Sequence, residues 1–258
     1  MRWSRSIGLA ALLLAPAVQA HDTWFEWQPG AGRAEFLIGS GNRFPLYEGG
    51  VGGNSLDKSG CRGGDGKSVA LAFRRHVRNA TLLRADAENG PALTCWAQLQ
   101  PFDVELSPQL VEVYFREIRP SAEVVAAWHA LRAQGLPFRE RYVKSARFDG
   151  AGVTAPQPVG TALDVVRLTP TAAPRVNDKA SFQLLRDGEP FADFPVELVN
   201  ENSPIGLWTR TDKDGRISPR LPLPGRWLLR GTELRLSTSD ATRWESRFIA
   251  YSFDVVAP

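Results

Sequence analysis

Short apolar segments separated by turn residues recur through residues 162–258, and this pattern leaves few folds open. About seven segments follow one another at spacings of roughly 8 to 12 residues, which is typical of an immunoglobulin-like or prealbumin-like β-sandwich. Asp187-Gly188 and Pro224-Gly225 supply turn signals between them. The 23 glycines and 19 prolines of the 258-residue chain also favour short strands and turns over long helices.

Residues 21–150 predict a second β-rich unit that contains one or two short helices. Ser107 followed by Pro108 predicts the start of one helix, and Ser121 predicts the start of another. The predicted fold class is therefore mainly β, with an N-terminal β domain and a C-terminal β-sandwich. The strand candidates of the N-terminal unit are rich in apolar and β-forming residues, and they cover residues 34–38, 69–73, 80–83 and 93–97.

Two glycine-rich stretches interrupt the strand pattern. Residues 39–66 include Gly49-Gly50 and Gly52-Gly53, and this stretch predicts a loop. Residues 151–161 are poor in large apolar side chains and rich in Gly and Pro, which predicts a linker. The expected organisation is a leader 1–20, an N-terminal domain 21–150, a linker 151–161 and a C-terminal sandwich 162–258.

The first twenty residues have the pattern of a secretory signal peptide. Arg2 and Arg5 precede a short apolar run, and Val18-Gln19-Ala20 forms a small-x-small cleavage site. The apolar run has about nine residues, whereas a membrane span needs roughly 20. The pattern predicts export to the periplasm, with no membrane span in the mature chain.

Processing would also change the charge balance of the chain. The full sequence has 31 Lys+Arg against 28 Asp+Glu, which gives a formal net charge of +3. Removing Arg2 and Arg5 leaves 29 basic residues against the same 28 acidic ones, so the mature charge is about +1. A nearly neutral mature chain gives no reason to expect a nucleic-acid partner.

Cys61 and Cys95 are the two cysteines of the chain. In an oxidising compartment two lone cysteines most simply pair, so a Cys61–Cys95 disulfide is expected. A thiolate metal site is the alternative, and the lack of any Cys-x-x-Cys spacing in the sequence argues against it.

Cleavage after Ala20 would make His21 the mature N-terminus. The α-amine and a ring nitrogen of His21 can then bind one cation as a chelate, and imidazole suits nickel, cobalt, copper and zinc. The amine has a pKa near ~8 and the ring near ~6.5, so a metal can displace both protons near neutral pH. The simpler interpretation is that a histidine follows the cleavage site without any role.

Two motifs that suggest nucleotide or calcium binding fail on spacing. Residues 60–68 resemble a phosphate loop, but Cys61 stands where a Walker A motif requires glycine. Asp212-Lys213-Asp214-Gly215 lacks the other ligands of a calcium loop, and it predicts a hairpin turn. The sequence also lacks the common hydrolase motifs, so no enzyme activity is predicted.

The mature start, His21-Asp22-Thr23-Trp24, resembles the His-Asp-x-Trp opening of a periplasmic family described as NikM-like, which is linked to nickel and cobalt uptake. The resemblance implies a secreted two-part β protein that works beside a membrane metal transporter. Further segments are similar to segments of that family in the same order, and they lie at 41–45, 139–144, 159–166, 187–190, 211–216 and 224–227.

The same resemblance bears on the metal ligands. Many members of the family carry His after Gly in the early segment, where this chain has Asn42. Asparagine is a poor ligand for nickel or cobalt. Asp22 and Glu26 are therefore expected to complete the site beside His21 as weaker ligands.

The sequence leaves three functions open. The first is the binding of a transition-metal ion (nickel, cobalt or copper) at His21, or its delivery to a membrane uptake system. The second is a copper redox protein, which needs His76 or His129 close to His21. The third is a non-catalytic interaction module built from β-sandwiches.

Overall fold

The computed structural model describes residues 21–30, 32–88, 92–169 and 173–257. Within these ranges the chain forms eighteen strands in three sheets together with two α-helices, so the predicted mainly β class is confirmed. The predicted signal peptide, residues 1–20, lies outside the described residues. None of the helices in the described part of the chain is long and apolar enough to span a membrane.

The first sheet is antiparallel and is built from the N-terminal half of the chain. Its strands are β1 (Asp22–Gln28), β2 (Glu35–Gly41), β3 (Gly49–Gly50), β6 (Leu71–Val77) and β7 (Ala80–Ala85). Their order is β1-β2-β7-β6, and β3 pairs with β2. Because β1 is at one end of this order, its first residues lie at the margin of the sheet.

The second sheet has nine strands and draws on both halves of the chain. Its order is β15-β14-β17-β18-β10-β8-β4-β5, with β9 paired to β10. The strands are β4 (Leu56–Gly63), β5 (Ser68–Val69), β8 (Leu93–Leu99), β9 (Phe102–Leu106), β10 (Phe138–Asp149), β14 (Pro195–Asn200), β15 (Leu207–Arg210), β17 (Gly225–Leu236) and β18 (Arg243–Val255).

A third sheet packs on the C-terminal part of the nine-stranded sheet. Leu163 and Phe182 from the third sheet share one buried apolar cluster with Leu229 and Tyr251 from β17 and β18. This layer-on-layer packing is the β-sandwich that the sequence predicts. The strands of the third sheet are β11 (Leu163–Arg167), β12 (Phe182–Arg186), β13 (Glu189–Pro190) and β16 (Arg216–Ile217).

The two predicted helices form where their capping residues are. The helix α1 (Pro108–Ile118) begins after Ser107, whose hydroxyl accepts a hydrogen bond from the Leu110 backbone N–H. The helix α2 (Ala122–Ala133) begins after Ser121 in the same way. Both caps satisfy backbone donors that the first helical turn leaves open.

Residues 151–161 connect β10 of the nine-stranded sheet to β11 of the third sheet. The strand β10 ends at Asp149, and it pairs in parallel with β18 over Arg139–Phe148 and Arg243–Ser252. The N-terminal and C-terminal halves are thus joined by a long backbone ladder. The division into domains at 21–150 and 162–258 stays a prediction.

The prediction that residues 39–66 form a loop is wrong for the end of β2 at 39–41, for β3 (Gly49–Gly50) and for Leu56–Gly63, which is strand β4. This segment pairs with β8, and Gly60 lies opposite Trp96. A Cβ on Gly60 would lie 3.1 Å from the Trp96 ring, so the close approach of the indole explains the glycine. Glycine here reflects contact with a neighbouring strand, which the local sequence does not reveal.

The predicted disulfide between Cys61 and Cys95 is confirmed. The two residues lie directly opposite each other on β4 and β8, and their sulfurs are 2.01 Å apart. Both cysteines are fully buried in the apolar cluster under the first sheet. The bond therefore joins two strands of the sheet at the centre of the N-terminal half.

Replacing both Cys61 and Cys95 with alanine is expected to lower the free energy of unfolding by about 3–4 kcal/mol, because the unfolded chain loses a cross-link across about 35 residues. Urea unfolding followed by tryptophan fluorescence measures the difference. A reducing agent should destabilise the wild type to a similar extent and leave the double variant unchanged. Equal stability of the oxidised wild type and the double variant would contradict this expectation.

Candidate functional site

The strand β1 contains Asp22 and Glu26, two of the three predicted metal residues, and His21 directly precedes it at the junction of two sheets. It pairs with β2 in the first sheet, with Asp22 opposite Gly41. It also crosses the nine-stranded sheet, where the Ser252 hydroxyl donates to the Phe25 carbonyl at 2.9 Å. Trp24 and Phe25 are buried between the two layers. His21 is therefore held at the end of an anchored strand.

The ring of His21 contacts a carboxylate from a neighbouring loop. Its Nε2 lies 3.1 Å from Oε2 of Glu48. Asn42 in turn donates to the Glu48 carboxylate from its backbone N–H at 3.3 Å and from its side-chain amide at 3.4 Å. Asn42 thus holds the carboxylate that faces His21.

Aromatic packing fixes the loop that carries Glu48. The Tyr47 ring stacks on Trp24 with ring centroids 4.9 Å apart, and Phe44 packs edge-on against Trp24 at 5.6 Å. Since Trp24 lies in β1, three residues after His21, one aromatic cluster positions both the loop and the start of the strand. The spacing between Glu48 and His21 is therefore set by buried contacts.

The surroundings of His21 favour its neutral ring. Burial lowers the pKa of His21 below its ordinary value and outweighs the Glu48 carboxylate, which acts in the opposite direction. In the neutral ring a proton on Nε2 faces Glu48, and the lone pair then lies on Nδ1. Nδ1 is the ring nitrogen nearer to the backbone nitrogen of the same residue. This tautomer is the one that a chelate of amine and ring requires.

Asp22 and Glu26 lie against arginines. Arg230 bonds Asp22 and Glu197, each at 2.6 Å. Four residues along both strands, Arg226 bonds Glu26 and Glu201, each at 2.8 Å. We call these the two arginine triads. They tie β1 to β17 and to the β14 region, and the roles of Asp22 and Glu26 as metal ligands stay predictions.

Lys144 of strand β10 binds the backbone of His21. Its Nζ donates to the His21 carbonyl oxygen at 2.6 Å and lies over the rings of Tyr142 and Phe248 at 5.0 and 5.5 Å. Lys144 is only 9% exposed. Burial lowers its pKa to about 8, against the opposing effect of the Asp22 and Glu140 carboxylates.

Two small cavities and a wider groove adjoin this region. Lys144 lines a cavity of about 30 Å³ beside α1. A second cavity of about 60 Å³ shares Glu117 and Phe248 with the first and also contacts Asp22. An open groove of about 450 Å³ shares Asn42 and Arg230 with the second cavity. Three spaces that share lining residues with one another therefore lie beside Asp22, Asn42 and Lys144.

The other histidines have separate environments. Nδ1 of His76 lies 3.0 Å from the Thr81 hydroxyl on the edge of the first sheet, and His129 is exposed on α2. Among the described residues, no three side chains of His, Cys, Asp or Glu converge as a metal-ligand group. A chelate at His21 is a different kind of site, because it takes two nitrogens from a single residue.

Sequence reasoning missed Glu48 and Lys144. Glu48 follows an irregular loop and no motif marks it, since its contact with His21 spans 27 positions and depends on the Trp24–Tyr47 stack. Lys144 belongs to the segment 139–144, which drew attention through the resemblance alone. The even-numbered positions Glu140, Tyr142 and Lys144 share one face of β10, and that alternation was a signal for a buried polar group.

A mainly β protein with an anchored histidine directly before its first strand is the class that this fold and site describe. The chain belongs to the family DUF4198, a domain of unknown function, whose profile matches residues 18–232. A comparison with curated proteins finds no match.

Proposed function

We propose that the mature protein is periplasmic and binds a nickel or cobalt ion at His21 for delivery to a membrane uptake system. Export and cleavage after Ala20 are part of this proposal, because the α-amine of His21 is free only in the processed chain. The resemblance to NikM-like proteins supports the choice of metal and of partner.

The contact between His21 Nε2 and Glu48 is the observation that carries the proposal. Ligating histidines commonly donate their second ring N–H to a carboxylate, which fixes the tautomer and the ring orientation. Glu48 stands in that position, and Nδ1 and the α-amine are then the two donors for the metal. The lowered pKa of His21 favours the neutral ring that a metal needs.

Lys144 and the nearer arginine triad have supporting roles in this proposal. Lys144 holds the His21 carbonyl, and Arg230 holds Asp22, so the residue that would carry both donor nitrogens is fixed on two sides. A preorganised chelate loses less conformational entropy when it binds. We expect the ion and its remaining ligands, such as water, to approach through the groove that Asn42 and Arg230 line.

Replacing Glu48 with alanine is expected to weaken nickel binding by about 10- to 100-fold, the usual effect of losing a carboxylate that orients a ligating histidine. Glu48→Gln should lie between this variant and the wild type, because its amide oxygen can still accept from Nε2. Calorimetric titration of processed protein with Ni(II), Co(II) and Cu(II) measures the affinities.

The matched control is Glu105→Ala on β9, which removes an exposed carboxylate paired with Arg139. We expect it to bind nickel as the wild type does. Wild-type affinity in Glu48→Ala, or an equal loss in Glu105→Ala, would argue against the role given to Glu48.

A further inference from the structure

The cavity beside Lys144 has apolar walls and a small number of charged groups. Its volume is about 30 Å³, and residues of α1, β9, β10 and β18 line it. Three of its lining residues are ionisable groups of opposite sign: Glu117, Glu140 and Lys144. Glu140 and Lys144 are buried, whereas Glu117 is exposed on α1. Buried charges are costly unless they are paired, so the arrangement of Glu140 and Lys144 calls for an explanation.

Lys144 is buried and keeps unused hydrogen-bond donors. An ammonium has three N–H donors, and among the described residues its one hydrogen-bond acceptor is the His21 carbonyl. No carboxylate of the described residues lies within ion-pair distance of its Nζ. A residue that is nine-tenths buried thus has donors left over beside a cavity.

The two glutamates supply acceptors on the same cavity. Oε1 of Glu140 accepts from the Tyr114 hydroxyl at 2.7 Å and from the Ser246 hydroxyl, which leaves Oε2 outside both bonds. Glu117 lines this cavity and the adjoining one of about 60 Å³, and no ion pair joins it to the other described residues. Carboxylate acceptors and the spare donors of a buried ammonium therefore line one partly open cavity.

This combination discriminates between classes of ligand. A simple carboxylate would meet Lys144 but also two glutamates, and a simple amine would meet the glutamates but also Lys144. A zwitterion satisfies both signs, with its carboxylate at Lys144 and its ammonium at the glutamates. Val104, Leu106 and Leu110 offer apolar contact to a small substituent.

We propose that the two adjoining cavities bind a free α-amino acid with a small apolar side chain. One water-sized group needs roughly 10–15 Å³ of such space, so cavities of 30 and 60 Å³ hold about six to nine groups. Alanine and valine fall in this range of size. This site lies next to His21 but does not depend on a bound metal.

The test is calorimetric titration of the metal-free, chelator-treated protein with L-alanine and L-valine. Propionate and isobutylamine serve as probes that each carry one of the two charges. We expect both amino acids to bind at least about tenfold more tightly than either probe, since each charge-assisted hydrogen bond contributes that much or more. Absence of amino-acid binding, or equal binding of propionate, overturns the proposal.

Variants locate the site. Glu117→Gln and Lys144→Met should each weaken L-valine binding by at least about tenfold. Glu112→Gln is the matched control, because Glu112 lies on the same helix in an exposed pair with Arg132, and it should bind as the wild type does. Equal binding by Glu117→Gln and Glu112→Gln overturns the proposal, and this comparison stands even if Lys144→Met fails to fold. Because a chelator is present, failure here leaves the metal proposal at His21 untouched.

Discussion

Replacing Arg147 with methionine is expected to lower the free energy of unfolding by about 3–5 kcal/mol, because it removes one partner of a buried charge network. Arg147 is 1% exposed and bonds Asp149 at 3.1 Å and Asp164 at 2.9 Å. Without the guanidinium, two buried carboxylates lose the cation that neutralises them. Methionine fills much of the same volume, so the effect reports on charge more than on packing.

The position of this network explains why the effect should be large. Asp149 ends β10 and also accepts from the Tyr251 hydroxyl at 3.0 Å. Asp164 is the second residue of β11 and accepts from the Val159 backbone N–H. Through Asp149 and Asp164, Arg147 therefore holds the residues on both sides of the 151–161 segment against the nine-stranded sheet. Its loss would loosen the connection between the two halves of the chain.

The control for Arg147→Met lies on the same strand. Arg141 forms an exposed pair with Asp103 at 3.1 Å, and surface pairs of this kind contribute about 0–1 kcal/mol. Arg141→Met should therefore change stability by less than about 1 kcal/mol. Chemical denaturation of both variants gives the comparison, and similar losses in the two would contradict the argument from burial.

The features that the sequence predicts well are local. Ser107 and Ser121 cap their helices within three residues, and Asp187-Gly188 turns the chain with positive φ at both positions, as such hairpins require. Each of these signals depends on residues within a few positions of one another, so the local sequence is enough to predict the cap or the turn. The Cys61–Cys95 bond is also predictable, because two cysteines allow a single pairing.

The features that the sequence does not predict depend on distant contacts. The glycines of β4 make its sequence look like a loop. Gly60 is required by the close approach of Trp96, which lies 36 positions away on β8. The parallel ladder between β10 and β18 joins segments about a hundred residues apart. Neither strand has a local sequence feature that identifies the other as its partner. Their alternation predicts a strand but not its neighbour.

The candidate site follows the same rule. The cleavage motif before His21 identifies it as a candidate metal ligand, and Asp22 and Glu26 are candidates because they lie near it in the sequence. The structure places both carboxylates against arginines from β17, while Glu48 and Lys144 reach His21 from separate segments. Residues that are close to His21 in the sequence are therefore a poorer guide to its contacts than residues from other segments that pack against it.

Moving the amine away from His21 is expected to produce the second large effect. A four-residue Gly-Ser extension before His21 converts its α-nitrogen into an amide and places the new terminal amine too far along the chain to share an ion with the ring. A chelate gains about 100-fold or more over its separate donors, because the second donor binds at high effective concentration. The extended chain keeps the His21 ring, Glu48 and Lys144, so the comparison isolates the amine.

Nickel affinity of the chain that begins at His21, compared with that of the extended chain, tests the account most directly. The processed N-terminus is verified by mass spectrometry, and a chain with the same four residues added after Pro258 serves as the control. We predict that the N-terminal extension weakens Ni(II) binding by at least about 100-fold while the C-terminal extension leaves it unchanged. Equal Ni(II) affinity in the processed and N-terminally extended proteins would contradict a metal site built on the amine and ring of His21.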